Sequence, residues 1–211
     1  MKKYNTIVDK IAKYLRHEIT YSNLKTGQHI KEAEIWKKFN VSRVPVREAF
    51  RILQSEGYLE LIPNKGSYVK KISRDYILQT AKVYRLLAPV VLEKAIPRYS
   101  KSTYKKADSL INKINKCRDF SKIGYLLWDF AIVIYTPSQM KFMLSIFEDI
   151  YKHGIRILNE LFENEANAKF KIDTHRKFIE LCKDNKKDEA INLWINFIDQ
   201  MKVIVLLDKP K

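Results

Sequence analysis

The sequence predicts a mainly α-helical protein in two parts: three helices and a β-hairpin over residues 1–72, then an all-helical bundle over 73–211. Three observations carry this. Apolar residues recur at helical spacing through the first 56 residues. The pattern changes to period two between 58 and 72. From Ser73 onward only two glycines remain and turn clusters are short.

Residues 4–20 place Ile7, Ile11, Leu15 and Ile19 four apart, the spacing of one helix face. "YSNLKTGQHI" interrupts the pattern, with Gly27 as the turn signal. "KEAEIWKKF", 31–39, reads as a short second helix, and Asn40 suits the left-handed position that ends it. In "NVSRVPVREAFRILQSEGYLE", Ser42 is placed to cap a third helix. Pro45 falls in its first turn, where a missing N–H costs little. Val46, Ala49, Phe50 and Leu53 form its apolar face, and Gly57 ends it. "YLELI" and "SYVKKI" then read as two strands joined by "PNKG". Three helices followed by a hairpin compose a winged helix-turn-helix.

Beyond a boundary near Lys71–Ser73, helices are expected at 74–95, 102–117, 121–135, 137–163, 168–184 and 187–208. Thr136–Pro137 reads as a cap and first-turn proline that start a helix directly after the preceding one.

The formal net charge is +16 and hydrophobic residues make up 46% of the chain, enough for packed cores. Residues 1–72 hold 15 basic and 7 acidic side chains; the rest hold 25 and 17. Each part thus carries +8, and the density is higher over the first third. A field of this sign favours a polyanion, either nucleic acid or an anionic membrane. No run of eighteen apolar residues occurs, and "MKKYNTIVDK" lacks the apolar block of a secretion signal. The expected location is the cytoplasm, with Cys117 and Cys182 as reduced core thiols.

Arg43, Arg47 and Arg51 stand at i, i+4 and i+8, one stripe of the third helix roughly opposite its apolar face. A solvated arginine face is one reading. The other is a recognition helix, because the stripe follows a tight turn and precedes a hairpin tipped by Asn64, Lys65 and Gly66. Guanidinium forks match two phosphate oxygens, or guanine O6 and N7. Ser42 and the first-turn amides can add a phosphate contact.

"NVSRVPVREAFRILQSEGYLELIPNKGSYV" closely resembles the winged-helix signature of the GntR family of bacterial transcription regulators, and the resemblance covers about residues 1–72. It implies a double-stranded DNA partner, with Ser42, Arg43 and Arg47 touching DNA and Gly66 at the wing tip; Val44 and Pro45, and Asn64 and Lys65 at the tip, are further candidates for the DNA-binding site. Arg51 belongs to the stripe, though the family does not single it out. Glu48 is expected to orient Arg47 or pair within the domain. Thr26 stands where the family usually has proline, and Ala33 where it often has a DNA-contacting arginine.

Residues 74–208 resemble, more loosely, the helical effector-binding domain of the FadR-like (FCD-type) branch, through "VYRLLAPVVLEKAI" and "DTHRKFIELCKDNKKDEAI". That branch often holds a divalent metal with one Asp and three His. Here the four positions fall on Leu127, Ala131, His175 and Phe197, so no metal or other cofactor is expected. Asp129 and His153 lie nearby in sequence and leave open an altered site. The branch's frequent Arg and Glu fall on Tyr84 and Ala88, with Arg85 adjacent. Tyr84, Leu127, Ala131, Ile134 and Phe197 would line a mostly apolar cavity, and Tyr84, Arg85, Leu127, Ala131, His175 and Phe197 are the effector-site candidates. They suit a small hydrophobic or carboxylate effector, or simply fill the core. The resemblance further implies a homodimer on a near-palindromic operator, most simply a repressor. No metalloprotease His pair, phosphate-binding loop or dinucleotide turn is present, so an enzyme is not expected. The alternative is a basic adaptor docking through the helical domain on a protein or membrane.

Overall fold

In a computed structural model the chain divides into two compact units, Met1–Ile72 and Ser73–Lys211. The structure describes residues 6–21, 23–119, 122–161 and 165–207, with side chains for all of these but 74, 153, 156–172 and 201–207. The expected helix limits at 4, 121, 163 and 208, and the side chain of His153, lie outside the described residues.

The first unit runs α1 (Ile7–Thr20), β1 (His29–Ile30), α2 (Glu32–Phe39), α3 (Arg43–Ser55), β2 (Leu59–Ile62) and β3 (Gly66–Val69). Thr6 and Asp9 close a capping box that starts α1. Asn40, at φ 50°, ends α2: Val41 N–H donates to Trp36 O at 3.1 Å and Asn40 N–H to Lys37 O at 3.3 Å. Gly57, at φ 78°, ends α3 in the same way, with Tyr58 N–H donating to Leu53 O at 2.8 Å and Gly57 N–H to Gln54 O at 3.0 Å. α2 and α3 therefore each stop at a residue that tolerates left-handed backbone.

Ile11, Leu15 and Ile19 of α1 bury against Val46, Ala49, Phe50 and Leu53 of α3, closed over by Tyr58, Leu59 and Val69. Each fully buried Leu or Ile contributes about 1.5–3 kcal/mol. Arg16 on α1 grips Glu56 through two bonds of 2.8 and 3.0 Å, tying the end of α3 to α1.

The wing is a three-stranded antiparallel sheet of order β1-β3-β2. The sequence predicts only the β2–β3 hairpin. The extra strand has two residues, too few for an alternating pattern. It is held by the turn at Gly27 (φ 78°), whose N–H donates to Val69 O at 2.9 Å while Val69 N–H donates to Gln28 O at 2.9 Å. In the hairpin turn Pro63 takes the second position and Asn64 (φ 60°) the third, and Lys65 N–H donates to Ile62 O at 3.0 Å.

Gly66 opens β3 at φ 96°, and a Cβ there would stand 2.7 Å from His29 Nε2. Gly66→Ala is therefore expected to cost about 1–2 kcal/mol through backbone strain alone. A thermal melt of the purified chain measures the loss.

The second unit contains α4 (Arg74–Ala95), α5 (Lys101–Lys116), α6 (Ile123–Tyr135), α7 (Lys141–Leu161), α8 (Glu165–Lys183) and α9 (Lys187–Leu207). α4 packs on α9 and α7, and α5 on α6 and α8. Thr136–Pro137 does not start α7. It forms a 3₁₀ turn, Thr136–Ser138, followed by Gln139 at φ 60°, a conformation that cannot continue into a helix. Arg98 donates to Ser138 O at 2.9 Å and to Pro137 O at 3.3 Å and so holds the turn apart from α7.

Candidate nucleic-acid interface

α3 is bound to the unit by one face only. Val46, Ala49 and Leu53 are wholly buried, while Ser42, Arg43, Val44, Arg47 and Arg51 are exposed and Pro45 is half-buried. The stripe anticipated from the spacing of the arginines is thus turned outward.

The helix N-terminus has an unusual feature. Ser42 takes the extended backbone of a capping residue (φ −72°, ψ 172°), yet its hydroxyl makes no capping bond. A capping hydroxyl accepts from the second or third helical N–H, and Pro45, the third here, removes one of those two donors. Ser42 therefore begins the helix by conformation rather than by the side-chain bond its residue type suggests. Its hydroxyl stays at the surface beside the positive end of the helix.

Two residues of α2 preorganise the arginines. The Arg43 guanidinium lies 4.4 Å from the centre of the Trp36 ring. Arg47 Nε donates to Glu32 Oε2 at 3.0 Å and the Arg47 side chain remains 62% exposed. Glu32, not the neighbouring Glu48, is the acid that orients Arg47. Sequence reasoning missed both α2 residues. The available signal was their i, i+4 spacing, which puts Glu32 and Trp36 on one side of α2.

An exposed pair of this kind is worth roughly 0–1 kcal/mol. It steers Arg47 without locking it. If this face meets a duplex, Glu32→Gln is expected to tighten binding about two- to fivefold, by releasing Arg47 and removing an acid from the approaching phosphates. Equilibrium titration by fluorescence anisotropy reads the change, and weaker binding would make Glu32 an essential positioner.

Arg47 and Arg51 also line a groove of about 280 Å³ with Glu32 and Gln54, floored from the sheet by Leu59, Leu61 and Ser67. Arg51 thus faces the space between α3 and the wing. Asn64 and Lys65 are exposed at the wing tip and Gly66 is half-buried beneath His29.

In the second unit, Tyr84, Leu127, Ala131 and Phe197 belong to one apolar core. The Tyr84 hydroxyl lies 2.7 Å from that of Tyr135 and 3.3 Å from that of Tyr151, and Trp194 Nε1–H donates to the Tyr135 hydroxyl at 2.6 Å. Burial holds all three phenols well above their ordinary pKa, so they stay protonated. His175 is buried among Phe130, Trp194 and Phe197, with ring centres 4.7–5.1 Å away. Arg85 stands apart. It is exposed, and its Nε lies 2.9 Å from both carboxylate oxygens of Asp199. Among the described residues no group of three or more His, Cys, Asp or Glu is gathered as a metal site would require. Cys117 and Cys182 are free thiols, and burial raises Cys182 to about 12. No helix among the described residues is long and apolar enough to cross a membrane.

Residues 7–69 match the family model described as bacterial regulatory proteins, gntR family. The HTH-type transcriptional repressor RspR of Escherichia coli (strain K12) is 33% identical over 93 residues, 44% of this chain and 41% of that protein. The matched segment thus spans less than half the length of that relative. A longer match, 25% identical over 195 residues, covers 83% of this chain and 80% of the HTH-type transcriptional regulator YdhC of Bacillus subtilis (strain 168). The fold extends over nearly the whole chain in a solved structure described as a transcriptional regulator GntR from Rhodococcus sp. RHA1. Its TM-score is 0.85 at 16% identity, covering 96% of this chain and 99% of that one. The first unit is thus a winged helix-turn-helix whose residues 7–69 are similar to the bacterial gntR family of regulatory proteins.

Proposed function

We propose that this chain is a transcription regulator, a repressor, that binds a near-palindromic operator as a homodimer. The observation that carries the reading is the division of α3 into a buried apolar face and an exposed guanidinium row. In this reading α3 enters the major groove. Arg43 and Arg47 read base edges or adjacent phosphates, Arg51 reaches the backbone beside the wing, and Ser42 binds a phosphate at the helix N-terminus. Val44, 71% exposed, suits apolar contact with a thymine methyl. Pro45 keeps the first turn rigid, and the tip at Asn64, Lys65 and Gly66 follows the neighbouring groove. The relatives named as transcription regulators support the same reading.

The homodimer is supported by α4. Tyr76, Val83, Leu86 and Val90 are exposed apolar residues that, with Gln79 completing the series, alternate by threes and fours. Such a row is the seam of a helix pair, and a two-fold axis sets it against its own copy. We assign the second unit to the helical domain of the FadR-like branch. There Tyr84, Leu127, Ala131, His175 and Phe197 would meet a small apolar or carboxylate effector, with Arg85 at the rim.

Selection from random duplexes tests the function. The expected product is two related half-sites about 34 Å apart. If about eight phosphates are neutralised, log K should fall against log salt with a slope near −7. Binding insensitive to salt, or capture by anionic vesicles without duplex binding, would favour the adaptor instead.

A further inference from the structure

Half of the basic excess lies outside the DNA-reading unit, and the winged domain gives it no role. Much of it lies on α5, where Lys101, Lys105, Lys106, Lys113 and Lys116 are all exposed against the single acid Asp108. Four of these lysines, together with Lys183 of α8, line an open groove of about 810 Å³. Asp108 is engaged by Lys183 at 2.9 Å, and Lys183 also lies 5.8 Å from the Tyr104 ring.

An ordinary solvated helix face interleaves its charges. Elsewhere in this unit several lysines do so: Lys122 with Asp119, Lys152 with Asp149, Lys177 with Glu180 and Lys186 with Glu189, each three residues apart. α5 departs from that rule. No ion pair among the described residues holds Lys101, Lys105 or Lys116, and Lys113 has only the electrostatic influence it exerts on Asp129. Lys101 and Lys105 are like charges at i, i+4, which weakens a helix. They also stand at the positive end of the helix dipole, with no acid in the first turn to offset them. The helix tolerates this arrangement because Ser100 and Thr103 form a capping box and Ala107, Ile111 and Ile114 are buried. Positive charge concentrated against local helix preference points to an external anion.

The spacing identifies the anion. Lys101 to Lys116 spans about 22 Å of helix. A compact phosphate group would need donors converging on one point. A duplex presents a charge every 1.7 Å or so of axis, so this ridge matches about six phosphates of each strand. A membrane surface would require large apolar side chains beside the lysines. None of the exposed large apolar residues among the described residues lies on α5 or in the groove.

We infer that the α5–α8 lysine groove is a second, sequence-independent DNA-binding surface that holds duplex phosphates through Lys101, Lys105, Lys113, Lys116 and Lys183. This inference rests on the proposed DNA-binding function and adds a phosphate-holding surface that the winged domain does not supply.

The test uses the full chain and a 60-bp random duplex. The variant carries Lys101→Gln, Lys105→Gln, Lys113→Gln and Lys116→Gln together. Its random-duplex affinity is expected to fall tenfold or more, and its log–log salt slope to flatten by about 0.9 for each phosphate no longer neutralised. Replacing the same four residues by arginine should keep both values at the wild-type level. An unchanged melting temperature in the glutamine variant separates the effect from misfolding. The effect should persist in a chain that also carries Arg47→Ala, since the two surfaces are separate. Wild-type affinity and slope in the glutamine variant would overturn the proposal and leave the winged-helix reading intact. So would a loss confined to binding of anionic vesicles or acidic protein. Failure of the wild-type chain to bind any duplex would overturn both.

Discussion

Arg47→Ala is expected to lower operator affinity by about 1–3 kcal/mol for each half-site, roughly 30- to 20,000-fold for a dimer that uses both. The magnitude follows from what the side chain is and how it is held. A guanidinium fork bound to guanine O6 and N7 leaves two base acceptors unpaired when it is removed. Arg47 is 62% exposed, so truncation opens no core cavity. Its ion pair with Glu32 is exposed at both ends and contributes no more than about 1 kcal/mol. The melting temperature should therefore move little while affinity falls steeply. Glu32→Gln separates the two roles. Added to wild type it is expected to tighten binding, and added to Arg47→Ala it should lose the part of that gain owed to releasing the arginine. If Arg47 reads a base, the Ala variant also accepts other bases at one position of each half-site. If it holds a phosphate, all sequences weaken alike and the salt slope falls by about one per subunit.

Leu86→Glu is expected to separate the proposed dimer and to reduce operator affinity by a factor of about 10²–10⁴, the gain that tethering two reading heads provides. Leu86 is 68% exposed on α4, so a carboxylate there is harmless to the isolated chain. Across a two-fold seam it would face apolar residues and a like charge near the axis. Sedimentation equilibrium reads the first effect and duplex titration the second. Leu86→Met, which keeps the apolar volume, should leave both unchanged. A Leu86→Glu chain that remains dimeric would move the interface away from α4.

The candidate interface was legible in the sequence to the extent that single residues dictate backbone. Asn40 and Gly57 announce left-handed helix ends, Pro63 and Asn64 the wing turn, and four-residue spacing the apolar and basic faces of α3. What stayed hidden depends on partners distant in sequence. β1 is a strand only because Gly27 folds two residues onto Val69, and two residues carry no period. Ser42 lacks a capping bond, and Pro45 as the third helical residue takes away one of its two usual donors, a combination that no single residue announces. Glu32 and Trp36 act on Arg47 and Arg43 from another helix. In the second unit, Thr136–Pro137 carries the chemistry of a helix start but forms a 3₁₀ turn, because Arg98 captures its carbonyls. The phenol network of Tyr84, Tyr135 and Tyr151 joins positions 51 and 67 residues apart, beyond any local pattern.

The central claim is that the exposed side of α3 lies in the major groove. Replacing purines of the selected operator one at a time by their 7-deaza forms removes a single major-groove acceptor and leaves the minor groove and backbone intact. Wild-type affinity should fall by about 1–3 kcal/mol at one or two positions of each half-site, and at least one of these losses should disappear in Arg47→Ala. Full affinity at every substituted position would contradict the account.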